Sequence, residues 1–328
     1  MAVSGTISTT TFNTQRVIDT AVRRCRIPVQ AITSEMQQYA KDALYLILSD
    51  LANYKTPSWC IEKQLYPFYL NQPIVTLDLG TVEVLNANYR TTLQISGTVV
   101  SSANQYKVQF DGQTQVATIG IEWSADVTAI PLTFQVSDDN ITWTTVGTEI
   151  VTATAGTKNW FDISQPLAYY FFRITSTSTI TYSDIYLGNT PTEIPFGVLN
   201  RDAYVNQSNK IFAGRPTTYW LKRDRLRPEM YLWPAPNETA ETAQLVIWRH
   251  RNVMDVGTLT QEVEVPQRWL EAITARLAAK MAMETPSVDA GLIPMLQQMA
   301  QVAQQAAWDG DNDGSSTYIQ PWIAPYTK

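Results

Sequence analysis

The sequence predicts an α+β chain: a helical core of about four helices with a small antiparallel sheet, an inserted all-β sandwich, and an extended C-terminal arm. Three observations predict it. Apolar residues recur at helical spacing near both ends, within 13–54 and 267–307. Between Thr91 and about Thr190 that period vanishes, and short alternating runs follow one another, separated by turns such as Asp111-Gly112 and Asp138-Asp139-Asn140. From Asp309 a Gly/Asp/Asn segment leads into spaced aromatics and two prolines, too little to form a core.

In chain order, residues 1–12 are small and polar and read as an arm. The first helix runs from an Asn13 cap to Arg26, with Val17, Ile18, Ala21, Val22 and Cys25 on one face. Arg23, Arg24 and Arg26 crowd its last turn. They are either a solvated helix end that complements the dipole or a contact for DNA or an acidic partner. Thr33 and Ser34 offer caps for a second helix. Its stripe Met36, Tyr39, Ala40, Ala43, Leu44, Ile47, Leu48 and Leu51 keeps the i, i+3, i+4, i+7 rule.

Strand-like segments follow at Trp59–Tyr69 and Ile74–Tyr89, broken by Pro67 and Pro73. The alternating runs of the sandwich are Leu93–Val99, Val116–Trp123, Leu132–Val136, Ile141–Val146, Tyr169–Thr175 and Ile180–Leu187. Thr217–Lys222 and Met230–Trp233 read as a hairpin around a charged bend, with Gln244–His250 as a third strand of the same small sheet. Pro266 opens a helix to about Glu284, slimmed by alanines, and a last helix ends near Ala307.

Only 16% of residues are charged, against about 25% in ordinary soluble domains, and the net charge is −6. That balance argues against a protein that grips nucleic acid, which needs clustered Lys and Arg. Cys25 and Cys60 are the only cysteines and read as reduced, structural residues. The N-terminus lacks a basic segment followed by an apolar run, and the longest apolar runs are broken by Asp42 and Asp50. Neither a signal peptide nor a membrane span is expected.

Catalytic constellations are missing from the sequence pattern. The single histidine, His250, lies between Arg249 and Arg251 at a strand end, and no phosphate-cradling glycine loop is present. Glu262 and Glu264 share a strand face without making a glycosidase argument. The expectation is a protein that is not an enzyme, with no cofactor and no metal.

Lys210, the GRP of Gly214–Pro216, the aromatics behind it and LWPAP at Leu232–Pro236 together resemble the head-to-tail adaptor proteins of tailed phages, especially short-tailed ones. VEVLNANYR, ending at Arg90, is similar to the start of the small sheet in that family, and VPQRWLEAITARLAAKMA is similar to its end. The resemblance implies a helical adaptor core at 1–90 and 190–308, an insertion at 91–189 and an arm at 309–328. It also implies a structural virion protein at the bacteriophage head-tail junction, assembled in the host cytoplasm. There a homo-oligomeric ring, dodecameric by family analogy, would sit below the portal protein and extend the channel for DNA ejection. Tail nozzle, tube or fibre proteins would lie below and outside, and double-stranded DNA would pass without sequence-specific binding. Tyr318, Trp322 and Tyr326 would bind the portal. Lys222, Arg223, Arg225 and Arg227 would face the channel, or form a solvated turn.

FQVSDDNITWTTV, NWFDI, YYFFRITS and SDIYLG resemble the discoidin-like jelly rolls of carbohydrate-binding modules. This implies an alternative function in glycan binding or receptor recognition. Trp123, Trp143 and Trp160 would then stack on sugars, or belong to the core. Asp138, Asp139 and Asn140 either hold calcium through oxygen ligands or simply turn the chain.

Overall fold

The structure is a computed structural model that describes residues 12–28, 31–54, 57–163, 167–225, 227–286 and 288–311. The chain divides into two compact units, one drawn from 1–61 and 251–328, the other from 62–250.

In the first unit, α1 (Thr14–Arg24) begins where the Asn13 side chain accepts a hydrogen bond from the Arg16 N–H at 3.1 Å. The Thr33 hydroxyl accepts from the Met36 N–H at the start of α2 (Ser34–Tyr54). Helices are numbered in chain order; α4 (Gln267–Glu284) and α5 (Ile293–Gly310) complete this unit. The alanines Ala272, Ala275, Ala278, Ala279 and Ala282 of α4 are all buried, and their small side chains let α1, α2 and α5 pack closely around it. Trp269 is fully buried, with the rings of Trp59 and Trp308 edge-on to it at 5.0 and 4.6 Å. Arg24 pairs with Glu271 at 2.6 Å, and Arg23 bonds the Asp19 carbonyl, so the basic end of α1 is engaged within its own unit.

The second unit is built on strands, numbered in chain order. A six-stranded sheet runs in the order β1 (Ile61–Pro67), β17 (Gln244–Arg251), β3 (Thr81–Gln94), β11 (Tyr182–Pro195), β6 (Thr118–Trp123) and β9 (Lys158–Asp162). A five-stranded sheet runs β4 (Thr98–Ser102), β5 (Gln105–Gln115), β10 (Ala168–Ser176), β7 (Val127–Ser137) and β8 (Thr144–Ala153). Val108, Phe110, Leu132, Phe134, Phe172 and Ile174 from the five-stranded sheet pack on Ile119, Ile121, Trp123 and Leu187 from the other, which makes the pair a sandwich. A four-stranded sheet is ordered β12 (Gly197–Val198), β14 (Thr218–Lys222), β15 (Glu229–Trp233) and β2 (Ile74–Thr76). β13 (Ala213–Gly214) pairs with β16 (Ala235–Pro236), and α3 (Arg201–Val205) lies nearby in sequence. A separate core joins Phe68, Leu77, Tyr89, Tyr219, Met230, Leu232, Leu245 and Ile247.

The expected helical core with a small sheet and an inserted jelly roll is corrected by this topology. Strands, not helices, dominate the chain, and the stretch expected to start the small sheet is one strand of the sandwich. β3 carries VEVLNANYR and continues to Gln94 without a break, pairing with β11 from Asn88 to Gln94. β11 in turn pairs with β6 through Tyr182–Gly188. Backbone pairing, with a bulge in β11 between Asn189 and Thr192, therefore joins both stretches into one sheet. The third strand of the expected small sheet is corrected too. A short turn at Glu238–Thr242, anchored by buried Ala240 and Ala243, carries the chain out of the hairpin, and β17 joins the six-stranded sheet instead.

Arg90 holds this sheet from within. Its guanidinium bonds Asp162 of β9 at 2.7 Å, Glu193 of β11 at 2.9 Å and Gln244 of β17 at 3.3 Å. Gln244 passes the contact on to Thr118 of β6 at 3.0 Å. Asp162 also takes Lys63 of β1, so one chain of polar contacts touches all six strands. Burial would raise the Glu193 carboxyl, but hydrogen bonds from Arg90 and Asn88 and the Arg90 charge outweigh it and hold it below the usual carboxylate range. Replacing Arg90 with Ala strands two carboxylates that are about a third exposed, so the expected loss is about 3 kcal/mol, the lower part of the range for broken buried pairs. Urea unfolding of the full chain measures it.

Candidate functional site

The edge strands of the six-stranded sheet, β1 and β9, approach each other closely enough for the Lys63–Asp162 ion pair. Between them lies a cleft of about 550 Å³, a size that suits a small ligand. β9 contributes Lys158, Asn159, Trp160, Phe161 and Asp162; β1 contributes Lys63, Gln64 and Tyr66; Asp78 and Glu149 complete the wall. Several of these groups fix one another. Gln64 donates to Asp78 at 2.7 Å, the Tyr66 hydroxyl donates to Gln64 at 2.5 Å, and the Asp78 N–H donates to that same hydroxyl at 3.1 Å. Burial, with the Asp78 charge adding to it, pushes the Tyr66 phenol far above its ordinary value, so it stays a neutral donor and acceptor. Glu149 is exposed and has no partner among the described residues.

Trp160 sits at the back of this cleft. Its ring rests against Gly120, where an added Cβ would come within 2.6 Å of it, and Tyr186 meets it edge-on at 5.3 Å. The Lys158 ammonium lies 5.6 Å from the ring centroid. The indole N–H is buried and has no hydrogen-bond partner among the described residues, an uncommon state for a buried donor.

A second array covers the outward face of the five-stranded sheet. Lys107, Arg173, Gln135 and Thr145 stand side by side across β5, β10, β7 and β8, because their Cα atoms are paired in register. Their neighbours Val108, Phe172 and Val136 point inward to the core, which places this row outside. Arg173 donates from Nε to Gln135 at 2.8 Å, and its guanidinium carbon lies 3.9 Å from the centroid of the Trp143 ring.

The sandwich residues singled out in the sequence thus separate. Trp123 is fully buried core, its N–H donating to Asn159 at 2.9 Å. Trp160 lines the cleft, and Trp143, half-buried, edges the outer row. Asp139 is an internal turn clamp: it accepts from the N–H groups of Ile141 and Thr142 and from the Ser137 hydroxyl. Asn140 turns with φ +59° and accepts from Lys107 at 3.2 Å, while Asp138 accepts from Gln113. Among the described residues no group of three His, Cys, Asp or Glu is placed to hold a metal ion, and no helix is long and apolar enough to cross a membrane.

Elsewhere, the basic bend is matched by carboxylates. Lys222 pairs with Glu229 at 2.9 Å and with Asp224 at 3.4 Å, and Arg223 pairs with Glu83 at 3.3 Å. Arg225 and Arg227 are exposed. Tyr318, Trp322 and Tyr326 lie outside the described residues. His250 is buried, and burial lowers its pKa, so it stays neutral at physiological pH. Sequence reasoning missed Lys63, Tyr66, Asp78, Lys107, Glu149 and Arg173. Strand alternation marks some of them as outward, but their pairing across the sheets carries no local signal.

No family model and no curated protein matches the chain. Solved structures do match. One is the C-terminal domain of a chitobiase from Bacteroides fragilis, at 10% identity over 29% of this chain and 68% of its own, with a TM-score of 0.23. Another is CpGH89CBM32-5 from Clostridium perfringens, in complex with GalNAc-β-1,3-galactose, at 7% identity over 41% and 99%, TM-score 0.24. A third is CBM62 from Clostridium thermocellum Xyl5A, at 13% identity over 37% and 96%, TM-score 0.25. The head-to-tail adaptor expected from GRP and LWPAP, with its portal-binding ring, is corrected by the sheet topology of the 62–250 unit. The two motifs instead occupy a small hairpin and its flanks, in a unit whose main sheets form a sandwich.

The Asp139 clamp has a pH signature. Backbone hydrogen bonds from Ile141 and Thr142, then the one from Ser137, hold its carboxyl down at about 2. A depressed folded-state pKa means the clamp stabilises the loop fully above the unfolded value of about 3.9 and loses that contribution as pH falls through the folded pKa. A carbon-detected NMR titration should place the Asp139 midpoint near 2, and a midpoint at the unfolded value would show that the clamp is absent.

Proposed function

We propose that the chain is a carbohydrate-binding protein and that its 62–250 unit holds a saccharide in the cleft between β1 and β9. The observation that carries the reading is the buried, unpartnered Trp160 N–H behind a cleft walled by carboxylates, amides, ammonium groups and a neutral phenol. A sugar hydroxyl both donates and accepts, so one polyol can answer Glu149 and Asp78 with donors and Lys158 and Asn159 with acceptors or donors. A purely apolar or singly charged ligand would leave part of this wall unsatisfied. Tyr66 and Phe161 add ring surface beside the polar groups.

Binding without turnover is part of the same proposal. Asp162 is already shared by Lys63 and Arg90, and Asp78 by Gln64, which supports a fixed recognition surface over a free acid and base pair.

A glycan array probed with the full chain tests the reading. The expected result is retention of a defined set of saccharides, with affinity falling about tenfold or more for Glu149→Trp, which fills the cleft from an exposed position, and for Lys158→Ala. Absence of binding to every saccharide, or binding that ignores both substitutions, would overturn it.

A further inference from the structure

We infer that the outward face of the five-stranded sheet is a second binding surface, selective for an acidic saccharide whose anionic group is held by Arg173 and Lys107. This surface is distinct from the β1–β9 cleft, though the choice of a sugar as ligand rests on the proposed function. Lys107 and Arg173 face each other directly across β5 and β10. Two like charges at directly opposite positions repel. Neither has a carboxylate within ion-pair distance among the described residues: Lys107 bonds Asn140, and Arg173 bonds Gln135 and lies over Trp143. The side chains in the rows above and below, Gln105 with Thr175 and Thr133, and Gln109 with Phe171 and Ser137, carry no negative charge. The nearest carboxylate in sequence, Asp111 of the same strand, is exposed and lies beyond Gln109 without an ion pair to either cation; in the adjoining loop Asp138 accepts from Gln113 and Asp139 closes its own turn.

One anion bound beside both cations would offset the repulsion between them. The guanidinium presents its fork in a fixed plane, because Gln135 anchors Nε and the Trp143 ring lies against its face. That leaves its two terminal amino groups free of described partners, the geometry that matches a carboxylate or sulfate in bidentate fashion. Burial lowers the Arg173 pKa, so its charge is partly desolvated and interacts more strongly with an anion than a fully hydrated one would. Beside the cation pair, half-buried Trp143 offers ring surface for the sugar that carries the charge.

Calorimetric titration of the full chain with three probes tests this: a galacturonic acid oligomer, its methyl ester, and a sulfated galactan oligomer. The acid or the sulfated form should bind about tenfold or more tightly than the ester, and raising salt should weaken only the charged probes. Arg173→Gln and Lys107→Gln should each remove most of that preference, and Trp143→Ala should weaken the charged probe. Arg173→Lys should retain more binding than Arg173→Gln, and thermal unfolding confirms that each variant folds. Preference for the acid assigns carboxylate, and preference for the galactan assigns sulfate; either supports the inference. Equal affinity for acid and ester, or binding untouched by Arg173→Gln, overturns it. If neutral glycans still bind and Glu149→Trp abolishes that binding, the cleft reading survives such a failure; if no saccharide binds at all, both fall.

Discussion

The side chain on which the sandwich unit depends most is Arg90. A guanidinium at 4% exposure inside a sheet is costly unless every face of it is answered. Here Asp162, Glu193 and Gln244 answer it from three different strands, and each partner has a second bond of its own, to Lys63, Asn88 and Thr118 respectively. Partial exposure of the two carboxylates keeps their desolvation cost moderate. The arrangement has a positional consequence: it draws β9 toward β1, and the cleft exists because those two edges are held near each other without pairing. The structural centre and the candidate site are thus two sides of the same interaction.

The two proposed recognition surfaces are built in contrasting ways. The cleft is concave and mixed in charge, its groups tied mainly to one another, with one donor left over at the back. The outer row is planar, of a single sign and tied to an aromatic face. Concavity with mixed polarity suits an uncharged polyol, while a flat cationic row suits a charged substituent. A chain with few charges overall makes the second case clearer, because Lys107 and Arg173 cannot be lost in a general background of ion pairs.

The helices were legible because their information is local. The α2 stripe from Ala40 to Leu51 and the α4 alanines repeat within a few residues, and the buried face follows directly from that repeat. The alternating runs also announced a sandwich, but two strands escaped. β5 contains Asp111-Gly112, which reads as a turn and is an irregular stretch within the strand. β9 is five residues long, too short for its alternation to stand out, and only the resemblance carried by NWFDI reached it. The site was the least legible part, since Lys63 and Asp162 are 99 residues apart and Lys107 and Arg173 are 66 apart. Register across a sheet is set by the summed pairing of whole strands, which no single segment displays. The GRP and LWPAP stretches misled for the related reason that a short motif specifies a turn more readily than the sheet it belongs to.

One feature of β1 and β17 bears on how such a unit can be moved between proteins. These strands are neighbours in the sheet, and Glu62 and Arg249, almost at the two ends of the 62–250 unit, are bonded at 2.9 Å. A unit whose entry and exit strands lie side by side can be transplanted into a host loop at small chain-entropy cost, since the host ends need hardly be pulled apart. The same adjacency means that a strand break introduced between the two sheets would leave entry and exit still clasped. Portability is therefore a property of the sheet order itself, independent of what either surface binds.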